Sequence, residues 1–176
     1  MKSILISVHP KWIEKIASRK KTIEIRKSAP KCEVPFKAYI YCTKDKYEWL
    51  YQVDNNGYGK AQSWHSKVIG EFVCDKVDEY TFSHYEAEYR VTHVEQNAMC
   101  LNQPELIHYG KGKPLYGWHI SDLKIYDKPK DIWEFQNYNK HRKCLKCGSF
   151  NDKCWICPNN AIIVRPPQSW LYIEER

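Results

Sequence analysis

The sequence predicts an α+β fold that is mostly β, and three observations carry that reading. Short runs rich in β-branched and aromatic residues recur along the chain, and one early segment has clear helical periodicity. A 43% hydrophobic composition over 176 residues is also enough apolar material for one packed core, so disorder is not expected. At this length residues 1–176 are read as a single domain.

The elements follow in order. Ile4-Leu5-Ile6-Ser7-Val8 is a short apolar strand, and Pro10 opens a helix over about Pro10 to Arg19, because a first-turn residue has no N–H obligation to meet. Trp12, Ile13, Ile16 and Ala17 form one stripe of that helix, and Lys11, Glu14, Lys15 and Arg19 fall largely on the other face. Thr22-Ile23-Glu24-Ile25-Arg26 then alternates strictly, so a strand here sends both isoleucines to the core and gathers Thr22, Glu24 and Arg26 on the opposite face. Further strands are expected at Phe36 to Cys42, Val68 to Cys74, Gly117 to Tyr126, Ala161 to Val164 and Trp170 to Ile173. Residues 43–66 hold five Tyr or Trp around the turn signal Asn55-Asn56-Gly57, which reads as a projecting hairpin or long loop. A second helix is expected around Asn102 to Tyr109.

Charge is unevenly spread. The net charge is +7; residues 1–31 carry nine Lys or Arg against two Glu, whereas residues 71–110 carry eight acids against Lys76 and Arg90. A basic face of this kind attracts polyanions, and the same charge also keeps a protein soluble. The apolar run at the start is broken by His9 and Pro10, and no stretch approaches the roughly 20 apolar residues of a membrane span. A cytoplasmic location without membrane contact is expected.

Four of the eight cysteines fall within 14 residues as Cys144-x-x-Cys147 and Cys154-x-x-Cys157, joined by six residues that include Gly148. Two-residue gaps let both thiolates of a pair reach one ion, so this spacing points to a tetrahedral Zn²⁺ and not to disulfides. Four sulfur ligands leave no open position, which makes the ion structural. Because residues 161–173 still read as strand, the knuckle over 141–160 is expected as an insertion within the domain. Lys140, Arg142, Lys143, Lys146 and Lys153 around it are either phosphate contacts or solvated loop lysines.

Other site candidates come from the strand and the aromatic loop. Glu24 and Arg26 on one face suit either a ligand or a same-face ion pair. Trp64 and His65, at the end of the aromatic loop, suit stacking on an unpaired base, as do Trp49 and Tyr58. Trp118 and His119 lie in an apolar strand, where a core tryptophan and a hydrogen-bonded histidine are the commoner arrangement.

The segments Ile6-Ser7-Val8-His9-Pro10, Ile16-Ala17-Ser18-Arg19-Lys20 and Lys21-Thr22-Ile23-Glu24-Ile25-Arg26 resemble the signature of the ASCH family, a branch of the PUA-like fold. Lys67 to Phe72 and Tyr116 to Tyr126 are similar to later parts of it. The ending Arg165-Pro166-Pro167-Gln168-Ser169-Trp170, with the zinc knuckle, resembles a subgroup carried by phages and prophages. The resemblance implies a small, partly open β-barrel with flanking helices, and a cleft beside the first helix and the following strand where relatives bind RNA or a nucleobase. It also implies that Lys21 enters the cleft, although strict parity groups Lys21 with Ile23 and Ile25. Two positions depart from the family pattern. Arg19 or Lys20 replaces the usual glycine before the Lys-Thr pair, and Glu24 stands where amidohydrolases of acylated cytidine carry a nucleophilic threonine. Glu95 is the candidate counterpart of the glutamate in those enzymes.

The first functional reading is a non-catalytic module that binds single-stranded RNA or a modified nucleotide through Lys20, Lys21, Thr22, Glu24, Arg26, Trp64 and His65. In it the basic side chains meet phosphates or base acceptors, and Glu24 accepts from base amino groups. The alternatives are an amidohydrolase of a modified nucleoside using Lys21, Thr22 and Glu24, and a phage-encoded accessory factor whose knuckle and aromatic loop contact a protein partner.

Overall fold

A computed structural model describes residues 3–44, 52–53, 59–60, 64–137, 163 and 165–175. The zinc knuckle expected at 141–160, with Cys144, Cys147, Cys154 and Cys157, lies outside these residues, as do Trp49, Tyr58 and most of the strand expected at 161–164.

Strand β1 (Ser3–Val8) leads into helix α1 (Pro10–Ala17) and strand β2 (Ile23–Arg26). Strand β3 (Phe36–Cys42) follows, then the short antiparallel pair β4 (Gln52–Val53) and β5 (Gly59–Lys60), in keeping with the projecting hairpin read from Asn55-Asn56-Gly57. Next come β6 (Lys67–Cys74), β7 (Val77–Tyr80), β8 (Phe82–Ser83), β9 (Glu88–Tyr89), α2 (His93–Met99) and α3 (Gln103–Gly110). Strands β10 (Leu115–His119), β11 (Ser121–Asp131), β12 (Phe135–Asn137) and β13 (Trp170–Glu175) complete the chain. The mostly β, α+β reading therefore holds.

Two sheets carry the architecture. One is six-stranded in the order β11-β6-β3-β1-β13-β12, with β1 and β3 parallel and the other pairs antiparallel; the second is β2-β10-β7. Among the described residues these sheets do not close into a barrel. The strand expected from Gly117 to Tyr126 is instead two strands in different sheets. At the break, the N–H of Ile120 still donates to Thr22 O at 2.9 Å, one position past the His119–Ile23 pair, before β11 pairs with β6 in the other sheet.

The central strands are buried on both faces, which explains their nearly continuous apolar sequences. Ile4, Ile6, Ala38, Ile40 and Phe72 face a core shared with Ile13, Ile16 and Trp118, while Leu5, Tyr39, Tyr41, Val68 and Phe135 face a second cluster. Helix α1 is held by its apolar stripe: Ile13 and Ile16 are fully buried, and each contributes about 1.5–3 kcal/mol relative to exposure. His9 caps it, accepting from the Lys11 N–H at 3.3 Å through Nδ1. Arg19 follows the helix with φ 59°, the left-handed conformation that glycine adopts freely and other residues adopt at a cost.

Helix α2 was not expected from periodicity. Its sequence mark is Thr92-x-x-Glu95, a capping box with both reciprocal hydrogen bonds formed, and Asn102-x-x-Glu105 does the same for α3. Both helices contribute to a third cluster, in which Met99 and Leu106 pack with Ile23, Ile25, Tyr80, Tyr89 and Leu115. Strand β2 thus has its isoleucines against α2 and α3, leaving Glu24 and Arg26 on the other face as the alternation predicts.

Candidate functional site

A cavity of about 570 Å³ opens where the end of β1, the start of α1, strand β2 and helix α3 meet. That volume lies in the range of small-ligand sites. Trp12, Ile25, Leu101, Pro104 and Tyr109 supply apolar and aromatic lining, and Lys21, Glu24 and Arg26 supply charge. The three charged residues are only 2%, 5% and 6% exposed.

Their arrangement is a buried triad. Arg26 Nη2 stands 2.9 Å from Glu24 Oε1, and Lys21 Nζ stands 3.5 Å from Glu24 Oε2, both as ion pairs. Lys21 Nζ donates to Met99 O at 2.6 Å and stands 5.1 Å from the centroid of the Trp12 ring. Arg26 is clamped by backbone: Nη2 donates to Ser7 O at 2.9 Å and Nη1 to Ser169 O at 3.5 Å. Burial lowers the pKa of Lys21 from its ordinary value, and the attraction of Glu24 only partly opposes it. Burial also raises that of Tyr109. Two buried polar atoms of the triad, Glu24 Oε2 and Arg26 Nε, have no hydrogen-bond partner. A desolvated polar atom without a partner carries a free-energy cost.

At the mouth of the cavity, Lys11 Nζ and Glu105 Oε1 stand 4.0 Å apart, joining α1 to α3. His9 and His108 also line it. Both side chains of the Lys11–Glu105 pair are well exposed, so this contact is worth little energy.

The structure brings together Lys21, Glu24 and Arg26 and separates the other sequence candidates from them. Lys21 lies just before β2, where the turn after α1 frees it from strand parity, and its side chain lines the cavity. Lys20 and Thr22 are exposed and do not line the cavity; the Thr22 backbone is engaged with Ala98 O and the Ile120 N–H. Trp64 is 5% exposed within the main core, and His65 lies in the turn before β6; neither lines the cavity. The reason is that Trp64 supplies apolar bulk beneath β6, so its ring is spent on packing. Trp118 is fully buried, and His119 Nε2 pairs with Asp78 Oδ2 at 2.7 Å. Glu95 caps α2 and does not line the cavity.

Sequence reasoning did not assign Trp12 or Tyr109 to the site. Trp12 lies on the apolar stripe of α1, and helical periodicity does not separate a residue facing the core from one facing a cavity at its edge. Tyr109 belongs to α3, whose approach to β2 is a tertiary event.

No protein-family model and no curated protein sequence matches the chain. Solved structures do. A single-substitution variant of the ASCH protein ZmASCH from Zymomonas mobilis superimposes with a TM-score of 0.57 at 16% identity, covering 98% of this chain and 89% of that one. Another crystal structure of ASCH from the same organism gives 0.49 at 19% identity over 74% of each chain. At such identities the likeness is one of fold, and on the first superposition the chain has the fold of an ASCH protein.

Proposed function

We propose that this protein is an ASCH-family module that binds single-stranded RNA or a modified nucleotide, taking one base into the cavity beside α1 and β2. One observation carries the reading: three buried charged side chains, two with unpartnered polar atoms, line an open cavity together with Trp12 and Tyr109. Aromatic rings give a base its stacking surface, and the charged groups meet its edge. Lys11 and Lys27, whose ammonium groups lie 4.6 Å and 4.7 Å over Trp12 and Tyr109, flank the lining with cations suited to phosphate. The amidohydrolase alternative has less support, because exposed Thr22 lies off the cavity and Glu24 occupies the position of the expected nucleophile.

Fluorescence titration with short RNA, single-stranded DNA and duplex oligonucleotides at two salt concentrations tests the reading. Salt-sensitive binding of single strands, weakened in Trp12→Ala, is the expected result. Failure of every oligonucleotide and free nucleoside to bind would overturn it and favour the accessory-factor reading, in which a protein is the partner.

The same proposal includes a structural Zn²⁺ held by Cys144, Cys147, Cys154 and Cys157, on the strength of their paired spacing. Metal analysis of the purified protein should find one zinc per chain. A folded, metal-free protein would refute the site.

A further inference from the structure

We propose that Glu105 determines which sugar the site takes: one oxygen of its carboxylate accepts a hydrogen bond from the 2′-hydroxyl of the nucleotide whose base is in the cavity, so the strand bound is RNA and not DNA. This rests on the reading of the cavity as a base pocket and names the sugar that goes with it.

Among the described residues two carboxylates line the cavity, and they differ in access. The Glu24 side chain is 7% exposed and is engaged by Arg26 and Lys21, whereas that of Glu105 is 41% exposed. Glu105 is therefore the carboxylate that a ligand at the mouth meets.

Its orientation is set by the start of α3. Glu105 Oε2 accepts from the Asn102 N–H at 3.0 Å, and the Glu105 N–H donates in return to Asn102 Oδ1 at 2.9 Å. That capping box occupies one carboxylate oxygen. The other, Oε1, stands 4.0 Å from Lys11 Nζ, beyond hydrogen-bond distance, and keeps its capacity to accept. The side chain is thus ordered before any ligand arrives, which lowers the entropy lost on binding.

Charge decides what this oxygen takes. A carboxylate accepts and does not donate, and it repels phosphate. Phosphates are better met by Lys11 and Lys27, whose ammonium groups lie over Trp12 and Tyr109. With the base inside, the sugar stays at the mouth, because the strand on either side of that nucleotide leaves by the opening. Of the groups left there, the ribose hydroxyl is the one that brings a hydrogen. Within a strand this is the 2′-hydroxyl, the group that DNA lacks. A hydrogen bond to a charged acceptor is also stronger than a neutral one, so this contact is large enough to decide between the two sugars.

The test is fluorescence anisotropy of the full chain with a labelled, randomised-sequence oligoribonucleotide and its 2′-deoxy and 2′-O-methyl counterparts, uracil being kept in all three. The ribo strand should bind about tenfold or more tightly than either counterpart. The 2′-O-methyl strand keeps the oxygen and loses the hydrogen, and the 2′-deoxy strand controls for the bulk of the methyl group. Glu105→Gln keeps the cap through its amide oxygen and puts an NH₂ where the accepting oxygen was, so the ratio of ribo to deoxy affinity should fall toward one. Because that ratio is internal to each protein, it does not depend on how well α3 is capped in the variant. Equal binding of ribo and deoxy strands, undiminished binding of the 2′-O-methyl strand, or a ratio that Glu105→Gln leaves intact would overturn the assignment and leave the base-pocket reading standing. No binding by any strand or by free ribonucleosides would overturn both.

Discussion

Arg26 holds Glu24 by a 2.9 Å contact between Nη2 and Oε1, two residues apart on one face of β2, with both side chains more than nine-tenths buried. Removing one partner leaves the other charge desolvated and less well compensated. Arg26→Ala should therefore cost about 3–5 kcal/mol in denaturant unfolding. A double-mutant cycle with Glu24→Gln should show strong coupling, the double variant losing less than the two single losses together. Additive losses would mean that the pair does not act as a unit.

Trp12 lines the cavity from a helix whose anchoring is done by Ile13 and Ile16. Trp12→Ala should weaken binding of a single-stranded oligonucleotide by about 1–3 kcal/mol, the range of one base–aromatic stack. Trp12→Phe should restore much of it. Unchanged affinity in Trp12→Ala would remove this ring from the interface.

Gly117 lies in β10 opposite Ile25, beside the strand that carries Glu24 and Arg26. A Cβ there would stand 2.6 Å from Tyr80 Cε2 and 2.9 Å from Ile23 Cγ2, both on buried side chains. Gly117→Ala is expected to destabilise by about 1–3 kcal/mol through overpacking, measured as a shift in denaturation midpoint. A neutral result would show that β2 and β7 yield without cost.

Acid should loosen the β7–β10 edge. Burial raises the Asp78 pKa, yet hydrogen bonds from Lys76 and His119 outweigh it and hold the carboxyl below its ordinary 3.8. The Thr92 backbone hydrogen bond likewise lowers the Glu95 pKa below 4.5. A lowered folded-state pKa gives stability that is present above the unfolded value and lost as pH falls through the folded one. Tm should therefore fall as pH drops below about 4, and Asp78→Asn should blunt that fall. An identical acid profile in the variant would assign the loss elsewhere.

Much of the frame was legible before any coordinates. Strand β1, helix α1 and the alternation of β2 follow from periodicity and from Pro10, and the face shared by Glu24 and Arg26 follows from the two-residue repeat. The α2 start was also legible in Thr92-x-x-Glu95, although its weak apolar pattern hid it. Less legible was the division of Gly117 to Tyr126 between two sheets, because both halves have strand character and only their partners differ.

The sequence by itself determined which side chains share a face within each element, since that depends on backbone period alone. Tertiary structure decided which of those faces enclose the cavity. It buried Trp64 in the core, turned Lys21 inward before β2, left Thr22 outside, and brought Tyr109 of α3 and Trp12 of α1 into the lining of one cavity. These outcomes depend on how separate elements pack, and packing is set by long-range volume and hydrogen-bond matching that no local period encodes.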